Sequence, residues 1–130
     1  MKTSLLSLLL CTGLTLAAGA AYGHGDEPVA AMHGGMVSEA ASGTTAELST
    51  AGGMLMLYLN DHVGKPISSQ GAMAEATVLT GSEKQVLPLA PSGDNSLMAS
   101  GAFKAAAGSK ALVKVSMPGK SAEMFRFVLK

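Results

Sequence analysis

Residues 24–36 hold the densest set of metal-binding side chains in the sequence. They contain two of its three histidines, two carboxylates and two methionines, and therefore offer nitrogen, oxygen and sulfur donors with little apolar bulk. Imidazole suits copper among other late transition metals, and thioether sulfur suits softer ions such as copper(I). The composition of this stretch predicts a transition-metal site, with copper as the first candidate.

The stretch begins where an export signal ends. Residues 1–23 combine a basic Lys2, an apolar segment over 5–18 and a run of small residues, which is the organisation of a secretory signal peptide. The apolar segment is too short and too rich in Thr, Ser and Gly for a membrane span. Cleavage is expected after Gly23 or after Ala21. We therefore expect a periplasmic protein that spans no membrane once the signal is removed.

Either cleavage position creates a possible copper chelate with His24. Cleavage after Gly23 makes His24 the first residue, so that its imidazole and the new α-amine can bind one ion, with His33 or His62 as a third nitrogen. Cleavage after Ala21 makes His24 the third residue, and the amine, two backbone amides and the imidazole can then surround copper(II) or nickel(II) in a square plane. The alternative is a solvated tail without metal.

The methionines divide into candidate ligands and candidate core residues. Met32 is predicted to bind metal together with His33. Met36 is either a further ligand or, as the pattern favours, the first core residue. The other methionines of the mature chain are predicted either to pack in the core or to be isolated. Met readily fills irregular gaps in cores. Met54, Met56, Met117 and Met124 lie in strand patterns, and Met73 and Met98 stand alone.

His62 follows a carboxylate in a polar loop. A carboxylate beside a histidine can orient the imidazole for metal binding. The same Asn60-Asp61-His62 sequence, followed by Gly64, is also typical of a turn that the side chain of Asn60 or Asp61 closes. The turn interpretation is favoured, and His62 is kept as a candidate ligand.

Composition excludes several function classes. The single cysteine, Cys11, is removed with the signal, so the mature chain can form neither a disulfide nor a thiolate metal site. Loss of Lys2 leaves eight basic against nine acidic residues, with no basic run and 4% aromatic residues, which argues against nucleic-acid binding. No nucleophile elbow or phosphate-binding glycine loop is present. We expect a protein that is not an enzyme.

Short apolar segments between turn residues predict an all-β domain over residues 34–130, preceded by a flexible arm at 24–33. In the unbroken apolar run at 54–59 the leucines share one face, as expected of a central strand. Pro88 predicts an edge strand or the end of a strand. The predicted strands are 36–41, 45–50, 54–59, 72–80, 85–89, 96–100, 111–117 and 122–129. An antiparallel immunoglobulin-like β-sandwich is the predicted architecture, with a closed barrel as the alternative.

Several segments together carry a family resemblance. They are His33-Gly34-Gly35-Met36-Val37-Ser38-Glu39, Ala46-Glu47-Leu48 and the run from Leu55 to Pro66. They resemble small periplasmic proteins of proteobacteria, most of them uncharacterised, which often accompany heavy-metal efflux and copper-resistance systems. The resemblance covers most of the mature chain and implies a β-sandwich and a role near metal transport. An efflux-system adaptor or another periplasmic protein is the implied partner.

The chain is also similar in fold class to copper-resistance periplasmic carriers, which are β-sandwiches with an N-terminal histidine site. It lacks their clustered methionine loop. The resemblance therefore implies a copper(II) site near the N-terminus rather than a copper(I) site. The function expected is a metal-binding carrier or accessory protein linked to efflux. The alternative is a metal-free interaction module that docks on an envelope protein complex.

Overall fold

The computed structural model describes residues 29–101 and 103–130, so the predicted signal peptide, His24 and the first part of the arm lie outside the described residues. Apart from one short 3-10 turn at Ala51–Gly53, the regular structure of the described part is entirely β. The same part contains no helix long and apolar enough to cross a membrane. The strands are β1 Met36–Glu39, β2 Thr45–Ser49, β3 Met56–Asn60, β4 Met73–Thr80, β5 Glu83–Pro91, β6 Ser96–Ala99, β7 Lys110–Ser116 and β8 Glu123–Val128. The all-β prediction and all eight strand positions are confirmed.

The eight strands form one antiparallel sheet in the order β1-β2-β3-β6-β5-β4-β7-β8. The chain builds β1 to β3 as a meander, crosses to β4, and returns through β5 so that β6 pairs with β3. The two edge strands approach each other, since the backbone N–H of Arg126 donates to the hydroxyl of Ser38 at 3.3 Å. Glu123 accepts hydrogen bonds from the hydroxyls of Ser42 and Thr44. The sheet is therefore nearly closed and barrel-like, and the immunoglobulin-like sandwich is not confirmed.

Alternate residues of the strands point into the closed interior and form one apolar core. The register places Leu48, Leu57 and Leu97 side by side across β2, β3 and β6, and each is fully buried. Phe125 fills the opposite side of the same interior and is also fully buried. Each such side chain stabilises the fold by about 1.5–3 kcal/mol relative to an exposed one. Because the inner faces are fixed in this way, the outward side chains are held in a fixed register as well.

Both alternatives predicted at Pro88 are wrong, because β5 continues to Pro91 and lies between β4 and β6 rather than at an edge of the sheet. Pro88 is the register partner of Glu75 on β4, whereas β6 pairs only with the last three residues of β5, from Leu89 onward. Pro88 thus lies just outside the part of β5 that pairs on both sides. A residue without a backbone N–H is tolerated where one side of a strand is unpaired.

Candidate functional site

Strand β2 is buried along its whole length. In a barrel-like sheet, every second residue of a strand points outward and is usually exposed. Thr45, Glu47 and Ser49 point outward, yet they are only 2%, 2% and 7% exposed. Glu47 is the unusual member, because a carboxylate is rarely buried unless it is paired. Residues 32–35, which lead into β1, cover it.

The Glu47 carboxylate binds the covering segment through four hydrogen bonds. Oε1 accepts from the backbone N–H groups of His33 at 2.7 Å and Gly35 at 2.9 Å. Oε2 accepts from the backbone N–H of Met32 at 3.0 Å and lies 2.9 Å from Nδ1 of the His33 ring. Burial by itself raises the pKa of Glu47, but the hydrogen bonds from the His33 ring and the backbone groups outweigh it, and the pKa lies below its ordinary value of 4.5. Glu47 is therefore an anion around which the segment folds.

Gly35 is required for this close approach. A Cβ atom at position 35 would lie 2.3 Å from the carbonyl oxygen of Leu48 and 3.1 Å from Cγ of Glu47. No side chain fits in that space. The glycine lets the backbone pass directly over β2, so that its own N–H can reach the carboxylate.

The His33 ring is fixed on two sides. Its plane is stacked on the ring of Tyr58 in β3, with 3.6 Å between ring centroids and an interplanar angle of 1°. Tyr58 is the register partner of Glu47, so one pair of strands supplies both contacts. Because the Glu47 carboxylate can only accept, the neutral imidazole carries its proton on Nδ1 and presents the lone pair of Nε2. The His33 side chain remains 40% exposed.

This arrangement is the one that proteins use to prepare a histidine for metal. Metal-binding histidines donate their second ring N–H to a carboxylate or carbonyl, which fixes the tautomer and raises the basicity of the ligating nitrogen. Here Glu47 supplies the carboxylate, and Met32, whose side chain is 73% exposed, places a thioether next to His33 in sequence. Neither Glu47 nor Tyr58 was predicted as part of the site from the sequence. The one local signal was a Glu in the middle of a strand, four residues after the turn at Ser42-Gly43.

The other predicted ligands lie elsewhere. Met36 packs against the hydrophobic core, which agrees with the favoured interpretation of that residue. His62 is exposed in the loop after β3, near the β1–β2 turn, where a Cβ atom on Gly43 would lie 3.5 Å from its Cβ. No described contact joins His62 to His33. His24 lies outside the described residues.

The loop that carries His62 is a turn closed by Asp61, as the favoured interpretation predicted. The Asp61 carboxylate accepts from the backbone N–H groups of Val63 at 3.0 Å and Lys65 at 2.9 Å. The hydrogen bond from Lys65 in particular lowers the pKa of Asp61. The carboxylate is thus engaged with the backbone rather than with the His62 ring.

The prediction of core packing holds for Met117, which lies against the core, and is wrong for three other methionines. Met54 and Met124 are 41% and 42% exposed, and Met56 is half-buried on the outer side of β3. Met56 is also the acceptor, through its sulfur, of the Tyr58 hydroxyl at 3.7 Å. The strand pattern marks which residues alternate, but it does not tell which of the two faces a flexible apolar side chain occupies.

The opposite outer side of the barrel has another character. We call the outward surface of β5, β4, β7 and β8 the cationic face. It carries four exposed cations, one exposed carboxylate, Glu75, and several exposed or half-buried apolar side chains. The cations are Lys84, Lys110, Lys114 and Arg126, and the apolar residues include Leu79, Val86, Leu112 and Val128. The sequence contains no basic run, and only the sheet register assembles this surface.

Among residues 29–101 and 103–130, no three His, Cys, Asp or Glu side chains come together in a group that could hold a metal ion. No family model, curated protein or solved structure matches this chain.

Proposed function

We propose that the protein is a periplasmic metal-binding carrier or accessory protein of a metal-efflux system, with copper as the first metal. The observation that carries the proposal is the pairing of His33 Nδ1 with the buried Glu47 carboxylate at 2.9 Å. The same carboxylate binds the backbone N–H groups of Met32, His33 and Gly35, so the segment that carries the ring is fixed together with the ring. The arrangement supports a His33 ring with a fixed orientation and tautomer, in which Nε2 is the atom that binds the metal.

The other proposed ligands are Met32 and His24, which precede His33 in the chain, and His62, which follows it. Met32 directly precedes His33, its backbone N–H donates to Glu47, and its side chain is exposed. His24 precedes Val29 by five positions, a length of chain that spans at most about 18 Å. Val29 lies against the loop at Gly64, where a Cβ atom would come within 3.5 Å of its Cγ1. The described chain thus starts beside the loop that carries His62, which favours a nitrogen-rich set at this end of the barrel.

Copper(II) fits these donors best. Imidazole and amine nitrogens form the tetragonal set that copper(II) prefers, and copper(II) stands at the top of the divalent affinity order. The Glu47 carboxylate is already occupied by four hydrogen-bond donors. Its part in the proposed site is to orient His33, not to bind the metal.

The test is a copper(II) titration of the exported, mature protein against a competing chelator, with intact mass to identify the first residue. We expect one tightly held copper(II), with imidazole nitrogen coupling in the electron paramagnetic resonance spectrum. His33→Ala should remove that coupling pattern and weaken binding at least about tenfold, and Glu47→Gln should weaken it by about tenfold because it loosens the ring. Glu75→Gln is the matched control, since Glu75 is exposed on β4, on the opposite outer side of the barrel.

Copper(II) binding of equal strength in wild type and His33→Ala would contradict a role for His33 and leave only a chelate at the N-terminus. Failure of the mature protein to retain any copper(II) against the chelator would contradict the whole proposal. Acetylation of the α-amine separates these cases, because it removes the N-terminal chelates and leaves the His33 ring unchanged.

The cationic face favours a second candidate function, an interaction module without metal. Its register places Leu79 between Lys84 and Lys110, and Thr77 beside Leu112. Apolar side chains surrounded by lysines suit an acidic protein surface with its own apolar centre. Replacing Lys84 and Lys110 together by Glu should abolish co-purification with an envelope protein if this candidate is correct. The same variant should bind copper(II) like wild type, which distinguishes the two functions.

A further inference from the structure

Two methionines that are 42 positions apart in the chain face each other on the outer side of the sheet. Met56 of β3 is the register partner of Met98 of β6. One step along the ladder, the backbone N–H of Ala99 donates to the carbonyl of Leu55 at 2.9 Å. Hydrogen-bonded and non-hydrogen-bonded pairs alternate in an antiparallel ladder. Met56 and Met98 are therefore a non-hydrogen-bonded pair, the type in which opposite side chains lie closer together.

The spacing of this pair matches the reach of one metal ion. Directly opposite Cβ atoms are about 4.5–5.5 Å apart. A zinc–sulfur bond is about 2.3 Å long, and at metal–sulfur distances of this order two sulfurs on one ion are at most about 5 Å apart. In each methionine one methylene group, Cγ, separates Cβ from the sulfur, and the side chain is flexible. The sulfurs of Met56 and Met98 can therefore bind the same ion without any movement of the backbone.

Met54 adds a third thioether on the same side. Its backbone is extended, with φ −111° and ψ 140°, so it points to the same face as Met56, about 6.6 Å before it along the strand. Met54 is 41% exposed, and Met56 and Met98 are half-buried. The three methionine residues are thus neither fully buried nor fully open to solvent.

The side chains paired in register with Met56 and Met98 are uncharged, and the Glu47 carboxylate farther along β2 is engaged by four hydrogen-bond donors. The neighbours of the pair in register are Ser49 on β2 and Ala90 on β5. Tyr58 borders the group through its hydroxyl, which donates to the sulfur of Met56. Neutral thioethers without a carboxylate suit soft monovalent ions and not hard or strongly hydrated divalent ones.

We propose that Met54, Met56 and Met98 form a thioether site for a soft monovalent ion, copper(I) or silver(I). The inference rests on the proposed function and deepens it by naming a second oxidation state of the cargo. His33 stacks on the ring of Tyr58, and the hydroxyl of the same residue donates to the sulfur of Met56. A nitrogen site for copper(II) and a sulfur site for copper(I) therefore adjoin on one face.

Silver(I) is the probe, since it has the same soft character and needs no reductant. The exported, mature protein with 13C-labelled methionine methyl groups is titrated with silver nitrate in chloride-free buffer. We expect the methyl signals of Met54, Met56 and Met98 to move together at one equivalent, while those of Met73 and Met124 stay in place. Met56→Leu and Met98→Leu should each weaken silver(I) binding at least tenfold.

Met124→Leu is the matched control, because Met124 is exposed to a similar degree as Met54 but lies on the cationic face. Replacing Met by Leu conserves side-chain volume and is well tolerated in folded proteins. The methyl shifts of the wild-type protein also give a result that needs no variant. Silver(I) that moves only the Met32 methyl, or that binds Met56→Leu and Met98→Leu as tightly as wild type, would overturn the thioether site.

Copper(II) binding measured on the same samples separates the two proposals. Copper(II) held through His33 without any silver(I) effect on the three methyl groups overturns the thioether site alone. Silver(I) bound at the three methyl groups without copper(II) retention supports the thioether site and overturns the His33 site. Binding of neither ion overturns both.

Discussion

The two outer sides of this barrel are built from the same alternating strand pattern, yet they differ in what covers them. On β4, β7 and β8 the outward residues alternate cleanly with buried ones and remain open to solvent. On β2 the outward residues are buried as well, because residues 32–35 lie over Glu47. The first side is an ordinary exposed sheet face with clustered cations. The second is a small additional layer organised by one anion.

The difference teaches that a covering segment needs a polar anchor when it has few apolar side chains. Residues 32–35 offer little hydrophobic area, so burial alone cannot hold them in place. Four hydrogen bonds to a carboxylate can, because hydrogen bonds to charged groups are worth about 1.5–3 kcal/mol each before the cost of ordering. The exposed face needs no such anchor, since nothing lies on it in the described part of the chain.

The largest effect should come from the anchor itself. Glu47→Ala leaves three backbone N–H groups and one imidazole without an acceptor, and it should lower the free energy of unfolding by about 3 kcal/mol. Glu75→Ala, at an outward and exposed position of β4, should cost less than about 0.5 kcal/mol. Urea unfolding of the two variants measures this contrast, and equal effects would mean that the two faces do not differ in the way described.

A second, smaller effect should follow from blocking the close approach of the backbone. Gly35→Ala places a Cβ atom 2.3 Å from the Leu48 carbonyl, so the segment must move away from Glu47. We expect a loss of about 2 kcal/mol, typical of an overpacked position. Gly34→Ala meets no atom within 4 Å and has only the left-handed φ of +70° to overcome, which should cost about 1 kcal/mol. A larger loss of stability in Gly34→Ala than in Gly35→Ala would argue against the close approach of Gly35 to the Leu48 carbonyl.

The stack of His33 on Tyr58 should contribute less than the anchor. Tyr58→Leu removes the ring and should destabilise the protein by about 1 kcal/mol beyond any change in buried area. It should also remove the ring-current shift from the His33 ring protons in the NMR spectrum. Tyr58→Phe keeps the stack and should preserve that shift, losing only the contact with Met56. An unchanged His33 shift in Tyr58→Leu would contradict a stacked ring.

The smallest effect is a dependence of stability on pH that comes from Glu47. The Glu47 pKa is below 4.5 in the folded protein, so between that pKa and 4.5 the unfolded chain binds more protons than the folded one. Stability contributed by Glu47 is thus complete above 4.5 and is lost as the pH falls through the folded-state pKa. Urea midpoints of wild type and Glu47→Gln should converge on acidification, and a difference that stays constant down to the lowest pH measured would contradict an anionic anchor.

Much of the fold could be predicted from local pattern. Period-two alternation placed the inward faces of β4 and β7, and turn residues placed the ends of most strands within two positions. The pairing order could not be predicted in this way, because β3 meets β6 only after the chain has passed through β4 and β5. A closed sheet and a two-sheet sandwich require the same short amphipathic strands, and the choice between them depends on whether the edge strands meet.

Some residues of the candidate site could likewise be predicted from the sequence, and others could not. His33 and Met32 were predicted because donor atoms are visible in the sequence. Glu47 was not, because a Glu within a strand is ordinarily an exposed residue and its three backbone donors come from a segment 12 to 15 positions earlier. Met56 and Met98 were assigned separately, to packing and to an isolated position, since nothing in the sequence relates them.

By itself the sequence determined which residues are strand, which faces are apolar and which side chains can donate to a metal, since all of these follow from residue type and spacing. The tertiary structure alone decided that a carboxylate is buried beneath His33, that two thioethers stand opposite each other and that four cations share one face. Each of these depends on the register between strands that are distant in the chain. Register is set by the packing of the whole core and not by any local run of residues.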